Sequence, residues 1–590
     1  NCAGQTIFIN LNSALQTING NFNVMQAGQF VSPNISNGLG LAGNSNLTLN
    51  VAGDVNVTNT TTATWFCVGA GSGTVIFNVT GNFNISGANT FLMFHFPNIG
   101  GSVLNQITAN VTGNFSFADG YFDWASTTSA GTGQSTMNLG GNFTSTGTAF
   151  MTTSASSTSV ISGKIVFNKV GLQTFSASTP ANITYTNFTV DASSTLQLLS
   201  SIQLTSSTTA NWAGKFIVNS NGILDAGTNQ IVSSSGLSLG LNNDFTLNTG
   251  AGIITANVGG VHQIGFVGPT ISAAIATRTF SSGANYTYNG TAVQTSGTFT
   301  TTPTANQVNN LTMNNTAGNT TTGVTLAQPF AVAGVLTLTS GHITTTSNLL
   351  TMNAGSSVNG ANYAARTSGG SANSFINGPL RKVGGTDFLF PVGKLTRGIR
   401  FCGVSGTGTA TDSFTGEFIS GSASNMAGGI TASGLIRVSK CEYWTIATTA
   451  GSPDVSVTLS WNPASICNAA AYVTQLSSLV VAHYGSSWDD FGGSADAGSN
   501  VSSGSITWDN VTTFSPFSLG STSASENPLP VKLVNVKAYH TGDRNRIEWT
   551  NLTEIDVVAY EVERSLNGTQ FIAMASLAAR SNANDKESYF

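Results

Sequence analysis

The chain has 590 residues, of which 7 % are charged and 40 % hydrophobic, and a net charge of −5. A typical soluble domain carries about 25 % charged residues, and disordered chains combine low hydrophobicity with high charge. This chain is therefore expected to fold, with Ser, Thr and Asn in the solvent-facing role that charges usually hold. The small net charge excludes the basic footprint of a nucleic-acid binder, and no apolar run approaches the ~20 residues that a transmembrane helix needs.

The opening Asn1-Cys2-Ala3-Gly4 has no basic-then-apolar leader, as expected of a processed, mature chain. A repeat follows. Gly20-Asn21-Phe22-Asn23 recurs as Gly53-Asp54-Val55-Asn56, Gly81-Asn82-Phe83-Asn84, Gly113-Asn114-Phe115-Ser116 and Gly141-Asn142-Phe143-Thr144, at spacings of 33, 28, 32 and 28 residues. A period of 20–50 residues is the signature of a solenoid. Within each repeat, runs such as Val75-Ile76-Phe77-Asn78-Val79 alternate as strands do, and Gly and Asn at the joins suit turns. The expected fold class is all-β, with a β-helical solenoid over residues 1–375.

Stacked turns place equivalent positions about 4.8 Å apart, where like charges would repel. This accounts for the scarcity of charge: residues 1–380 hold five basic and six acidic residues. An Asn stands three residues before the Gly in four repeats, at Asn50, Asn78, Asn110 and Asn138. These are expected to form a buried hydrogen-bonding ladder, or else simply to occupy turns. Beyond residue 160 the repeat loosens, but short Thr/Val/Leu strands continue through 309–359.

Charged residues become common near Arg381, which marks a domain boundary. The stretches Asn377-Gly378-Pro379-Leu380-Arg381-Lys382, Phe390-Pro391-Val392-Gly393-Lys394 and Cys441-Glu442-Tyr443-Trp444-Thr445 follow. Together they resemble a β-module found in large surface and secreted proteins of Bacteroidota, downstream of β-helical repeats. Leu529-Pro530-Val531-Lys532-Leu533, Ile547-Glu548-Trp549 and Tyr560-Glu561-Val562-Glu563-Arg564 resemble the fibronectin-type-III-like domain of type IX secretion substrates. The resemblance implies a β-sandwich-like module over 376–525, a partial fibronectin-type-III-like domain over 526–590, export across the outer membrane, and display or release outside the cell. It implies no catalytic activity.

None of the five cysteines forms a CxxC pair. Cys441 and Cys467 flank a strand-rich stretch and are a candidate disulfide in an oxidising compartment. Cys2–Cys67 is a weaker pairing, and free buried thiols are the alternative. Elongated β-helices can carry polysaccharide chemistry, which needs paired carboxylates or a base with a neutralising cation. Asp119 and Asp123, beside Trp124, are the candidate glycan contacts; an ordinary Asp-Gly turn is the simpler account. Trp488-Asp489-Asp490 and Trp508-Asp509 read as solvated turns, since calcium needs more oxygens than they supply. No metal, cofactor or catalytic residue is expected.

The expected function is that of an extracellular structural or adhesive surface protein: a stalk, fibre subunit or adhesin able to assemble into filaments. Its expected partners are further copies of itself, or glycans and surfaces. The alternative is a secreted carbohydrate-active β-helix enzyme or glycan-binding passenger.

Overall fold

The computed structural model describes residues 15–589 except 26–37, 41–45, 59–63, 71–73, 89, 97–105, 125–133, 154–161, 206–213, 235–241, 263–267, 299–305, 318–321, 407–408, 410, 452–453, 468–469, 472, 515, 524–525, 528–532, 552–558 and 581–586. The described residues form strands, short 3-10 turns and no α-helix. Two compact units divide the chain, Asn1–Gly384 and Gly385–Phe590.

The first unit is a parallel β-solenoid. Each early turn gives one strand to each of three sheets. Leu47–Val51, Val55–Thr58 and Thr64–Ala70 make one turn; Val75–Val79, Phe83–Ser86 and Thr90–Phe96 make the next. The first sheet gathers 10 strands, from Leu15–Ile18 to Thr277–Phe280, and the second 13, from Phe22–Met25 to Ser357–Val358. The third holds 5 strands, from Gly38–Gly40 to Phe150–Thr152. Stacking persists well past residue 160 and past 375: Leu380–Val383 pairs in parallel with Leu350–Met352.

Alternation builds the core. In Leu47–Val51, Val75–Val79 and Ile107–Val111 every odd-numbered residue is buried and every even-numbered one is half-exposed. Register then stacks like on like. Phe83, Phe115, Phe143 and Phe175 are cross-turn partners in the second sheet, with ring centroids 5.7, 5.4 and 4.9 Å apart. Offset and edge-on ring pairs add about 0.5–1.5 kcal/mol each beyond the area they bury.

The repeated Gly-Asn corner has its own column of bonds. Gly81 N–H donates to the Gly53 carbonyl and Gly113 N–H to the Gly81 carbonyl, each at 3.0 Å. Beside them the side-chain oxygen of each corner residue accepts the backbone N–H of its successor. Asp54 N–H donates to Asn21 Oδ1 at 2.8 Å, Asn82 N–H to Asp54 Oδ1 at 2.7 Å, Asn114 N–H to Asn82 Oδ1 at 2.9 Å, and Asn142 N–H to Asn114 Oδ1 at 2.8 Å. Two later corners use a buried glutamine. Gln173 Nε2 donates to the carbonyls of Leu139 and Gly141, and Gln294 Nε2 to those of Thr255 and Asn257.

The second unit contains two antiparallel sheets. One includes Ser413–Ile419, Tyr443–Ala450, Pro516–Ser521, Leu479–Tyr484 and Trp488–Gly492; the other includes Phe388–Phe390, Cys402–Gly406, Val455–Trp461 and Gly504–Val511. Trp444, Phe390, Leu459, Ile506 and Phe517 lie in its core. A further pair of sheets follows. Leu533–Thr541, Arg544–Asn551 and Glu587–Tyr589 form one, and Ala559–Ser565 with Phe571–Ala578 the other. Trp549 and Tyr560 meet edge to face at 5.5 Å.

Candidate functional site

Asn50, Asn78, Asn110 and Asn138 fall in one column of the first sheet. Each amide donates to the one before it: Asn78 Nδ2 to Asn50 Oδ1 at 2.7 Å, Asn110 Nδ2 to Asn78 Oδ1 at 2.8 Å, and Asn138 Nδ2 to Asn110 Oδ1 at 2.8 Å. The column is half-exposed on the outer face, not buried in the core, because even-numbered strand positions point outward here. It stops at Val166, the next partner of Asn138. A second column, Asn23, Asn56 and Asn84, repeats the arrangement on the second sheet.

The outer column and the corner column make different demands. Asn110 must both donate and accept, whereas a corner oxygen need only accept a backbone N–H. An amide meets the first demand and an ionised carboxylate does not, whereas a carboxylate meets the second, as Asp54 does in the corner column. Asn110→Asp is expected to destabilise the solenoid by about 1–3 kcal/mol at neutral pH, because it sets oxygen against Asn78 Oδ1. Acidification below ~4, where a carboxylic acid can donate, should restore part of the loss. Asn114→Asp should change stability by less than about 0.5 kcal/mol. Urea unfolding of both variants at two pH values checks the contrast.

The candidate glycan contacts do not converge. Asp119 lies in the turn before the strand Tyr121–Asp123, and its Oδ1 accepts the N–H and Oγ1–H of Thr148 at 2.8 and 2.9 Å. Asp123 is 1 % exposed and Trp124 0 %. The indole packs against Phe122 and Phe94 at 4.7 and 5.4 Å, and its Nε1–H donates to Thr186 Oγ1 at 2.9 Å. A Cβ on Gly163 would strike that indole, so glycine there leaves room for it. The aromatic ring on the outer side of this strand is that of Tyr121, half-exposed between Phe91 and Phe150 at 5.7 and 5.6 Å.

Buried titratable groups lie elsewhere. Lys382 is 1 % exposed, and its ammonium donates to the carbonyls of Asn353 and Ser356 at 2.9 and 3.0 Å. Burial pushes its pKa down to about 8. A perturbed amine can mark a reactive site, but these partners make Lys382 a tie between successive turns. His262 is fully buried, with Nδ1 2.8 Å from the Ile271 carbonyl and its ring against Phe280. Burial holds it below 6.5; the Ile271 bond opposes the shift and the Arg278 charge adds to it. The unfolded chain therefore takes up this proton first as pH falls. The stabilising contribution is present above pH 6.5 and is lost below it, down to the depressed folded value. His262→Phe is expected to cost some stability at pH 7 but to flatten the fall between pH 6.5 and 5, read by thermal unfolding across that range.

In the second unit, Arg400 and Glu442 form a buried pair, Nε to Oε2 at 3.2 Å. Cys441 is disulfide-bonded. The side chain of Cys467, its expected partner, lies outside the described residues, as do the side chains of Cys2 and Cys67. Cys402 is a free, buried thiol whose pKa burial raises, so it has little thiolate character. Asp489, Asp490 and Asp509 lie in strands and not in turns. Among the described residues, no group of three His, Cys, Asp or Glu side chains is placed to hold a metal ion. A recess lined by Arg437, Ser439, Leu479, Leu519, Ser521 and Asn527 leaves only about 10 Å³ of free space, about enough for one water and too little for a small molecule.

The extended polar columns of the solenoid are therefore the most regular chemical feature of the molecule. Comparison with known proteins finds no matching family model, no matching curated protein and no matching solved structure.

Proposed function

We propose that the chain is part of an extracellular structural or adhesive surface protein, with the solenoid as a stalk or fibre element. The observation that carries this reading is the solenoid itself: parallel sheets of 10 and 13 strands whose outward positions in the early turns are mostly amide and hydroxyl groups in place of charges. A surface of many equivalent weak contacts suits multivalent attachment or side-by-side packing of copies. Export by a type IX pathway in a member of the Bacteroidota is proposed on the 377–590 motifs alone.

Electron microscopy of the protein on its native cells, and after gentle release, tests the proposal. Rods or filaments projecting from the surface are the expected result. Compact particles confined to the cell interior would sink it.

A further inference from the structure

One face of the solenoid has a ligand-like regularity. Thr48, Ile76, Thr108 and Thr136 form a second outer column of the first sheet, two residues from the asparagine column. All eight side chains are half-exposed. The four strands run in register with no bulge. Equivalent groups repeat about 4.8 Å apart across the strands and about 6.7 Å apart along them. The amide-to-amide bonds of 2.7–2.8 Å fix the asparagine rotamers, so the asparagine column is ordered before any ligand arrives.

This face discriminates among ligands. It carries no charge over these four turns, so nothing on it selects for a charged ligand. It carries no aromatic ring, so it offers no platform for stacking sugars. Its threonines pair a hydroxyl with a methyl, which holds water by hydrogen bonds on one side and orders it on the other. What it presents is a two-dimensional net of neutral groups, seven of them hydrogen-bonding and one, Ile76, apolar. Hexagonal ice exposes neutral oxygens that repeat in two directions at spacings close to these.

We infer that the outer face of the first sheet, from Thr48 to Asn138, is an ice-binding surface. Lys164, the next residue in the threonine column, ends it with a charge, at the same turn where Val166 ends the asparagine column. The inference goes beyond the stalk reading. A chain that forms no filament can still bind ice, and a filament need not, so the two tests fail separately.

The experiment is slow freezing of a dilute solution of the intact chain onto a cold surface, with the protein then measured in ice and in liquid. Several-fold enrichment in ice over a non-binding control protein, with faceted crystal growth, is expected. Thr108→Lys should abolish the enrichment. Thr108→Val, which keeps the shape and removes one hydroxyl, should reduce it. Thr144→Lys, on the second sheet, should leave it unchanged, and circular dichroism confirms that each variant folds. Exclusion of the wild-type chain from ice would overturn the inference. So would equal enrichment of wild type and a folded Thr108→Lys, or sedimentation with crystalline cellulose but not with ice.

Discussion

Glu442→Ala is expected to lower the stability of the 385–590 unit by about 3–5 kcal/mol, the usual cost of stripping one partner from a buried ion pair. Arg400 is 0 % exposed. Its Nη1 donates to the Ile399 carbonyl at 2.8 Å, its carbonyl accepts the Trp444 indole N–H at 3.0 Å, and its guanidinium lies 5.8 Å from the Phe418 ring centroid. The Ile399 bond and the Phe418 ring hold the guanidinium in a buried position, so removing the carboxylate is expected to leave its charge uncompensated. The loss should appear as an earlier unfolding transition in denaturant, followed by tryptophan fluorescence. Replacing both partners, Arg400→Met with Glu442→Leu, should recover much of it, because paired apolar side chains of similar volume avoid the desolvation penalty. A single substitution costing under about 1 kcal/mol would mean that the pair relaxes to solvent.

Gly113→Ala is expected to cost about 1–3 kcal/mol, as overpacking does in a close-packed interior. The glycine is not required by an unusual backbone angle. It is required by proximity: an added Cβ would lie 2.6 Å from the Gly81 carbonyl carbon, in the column where Gly81, Gly113 and Gly141 stack. Relief would mean parting the turns and stretching the Gly113 N–H to Gly81 bond of 3.0 Å. Solenoid turns contact chiefly their neighbours, so the damage should be local. Hydrogen exchange should quicken in 75–86 and 107–117 and stay unchanged beyond residue 200. Protection equal to wild type in the flanking turns would contradict the close-approach account.

The repeat was legible because it is periodic. Gly-Asn-Phe at near-constant spacing places both the corner column and the phenylalanine stack, and alternation separates Asn78 from Phe77 and Val79. Less was legible where a residue's role depends on a distant partner. Lys382 looks like the opening of a charged module, yet its acceptors come from Asn353 and Ser356, one turn earlier, and parallel stacking continues through its strand. Arg400 and Glu442 are 42 residues apart, with nothing in their local sequence to join them. At Asp119, Asp123 and Trp124 the simpler account, an Asp-Gly turn, matches the position of Asp119 before the strand that begins at Tyr121, whereas the inward turn of Trp124 depends on space left by the distant Gly163.

The direction of the inter-turn bonds has a mechanical consequence. In the solenoid the backbone bonds between sheet neighbours, the amide columns and the corner bonds all join one turn to the next, so tension along the stack is carried by the same bonds that build it. A pull from one end would peel the terminal turn before loading the rest. Each yielding turn, with the 28-residue offset that separates Asn110 from Asn138, would release slack of roughly 90–100 Å at about 3.3–3.6 Å per residue. A tether of this kind would dissipate force in many small steps, and refold turn by turn on the template of the turn beneath.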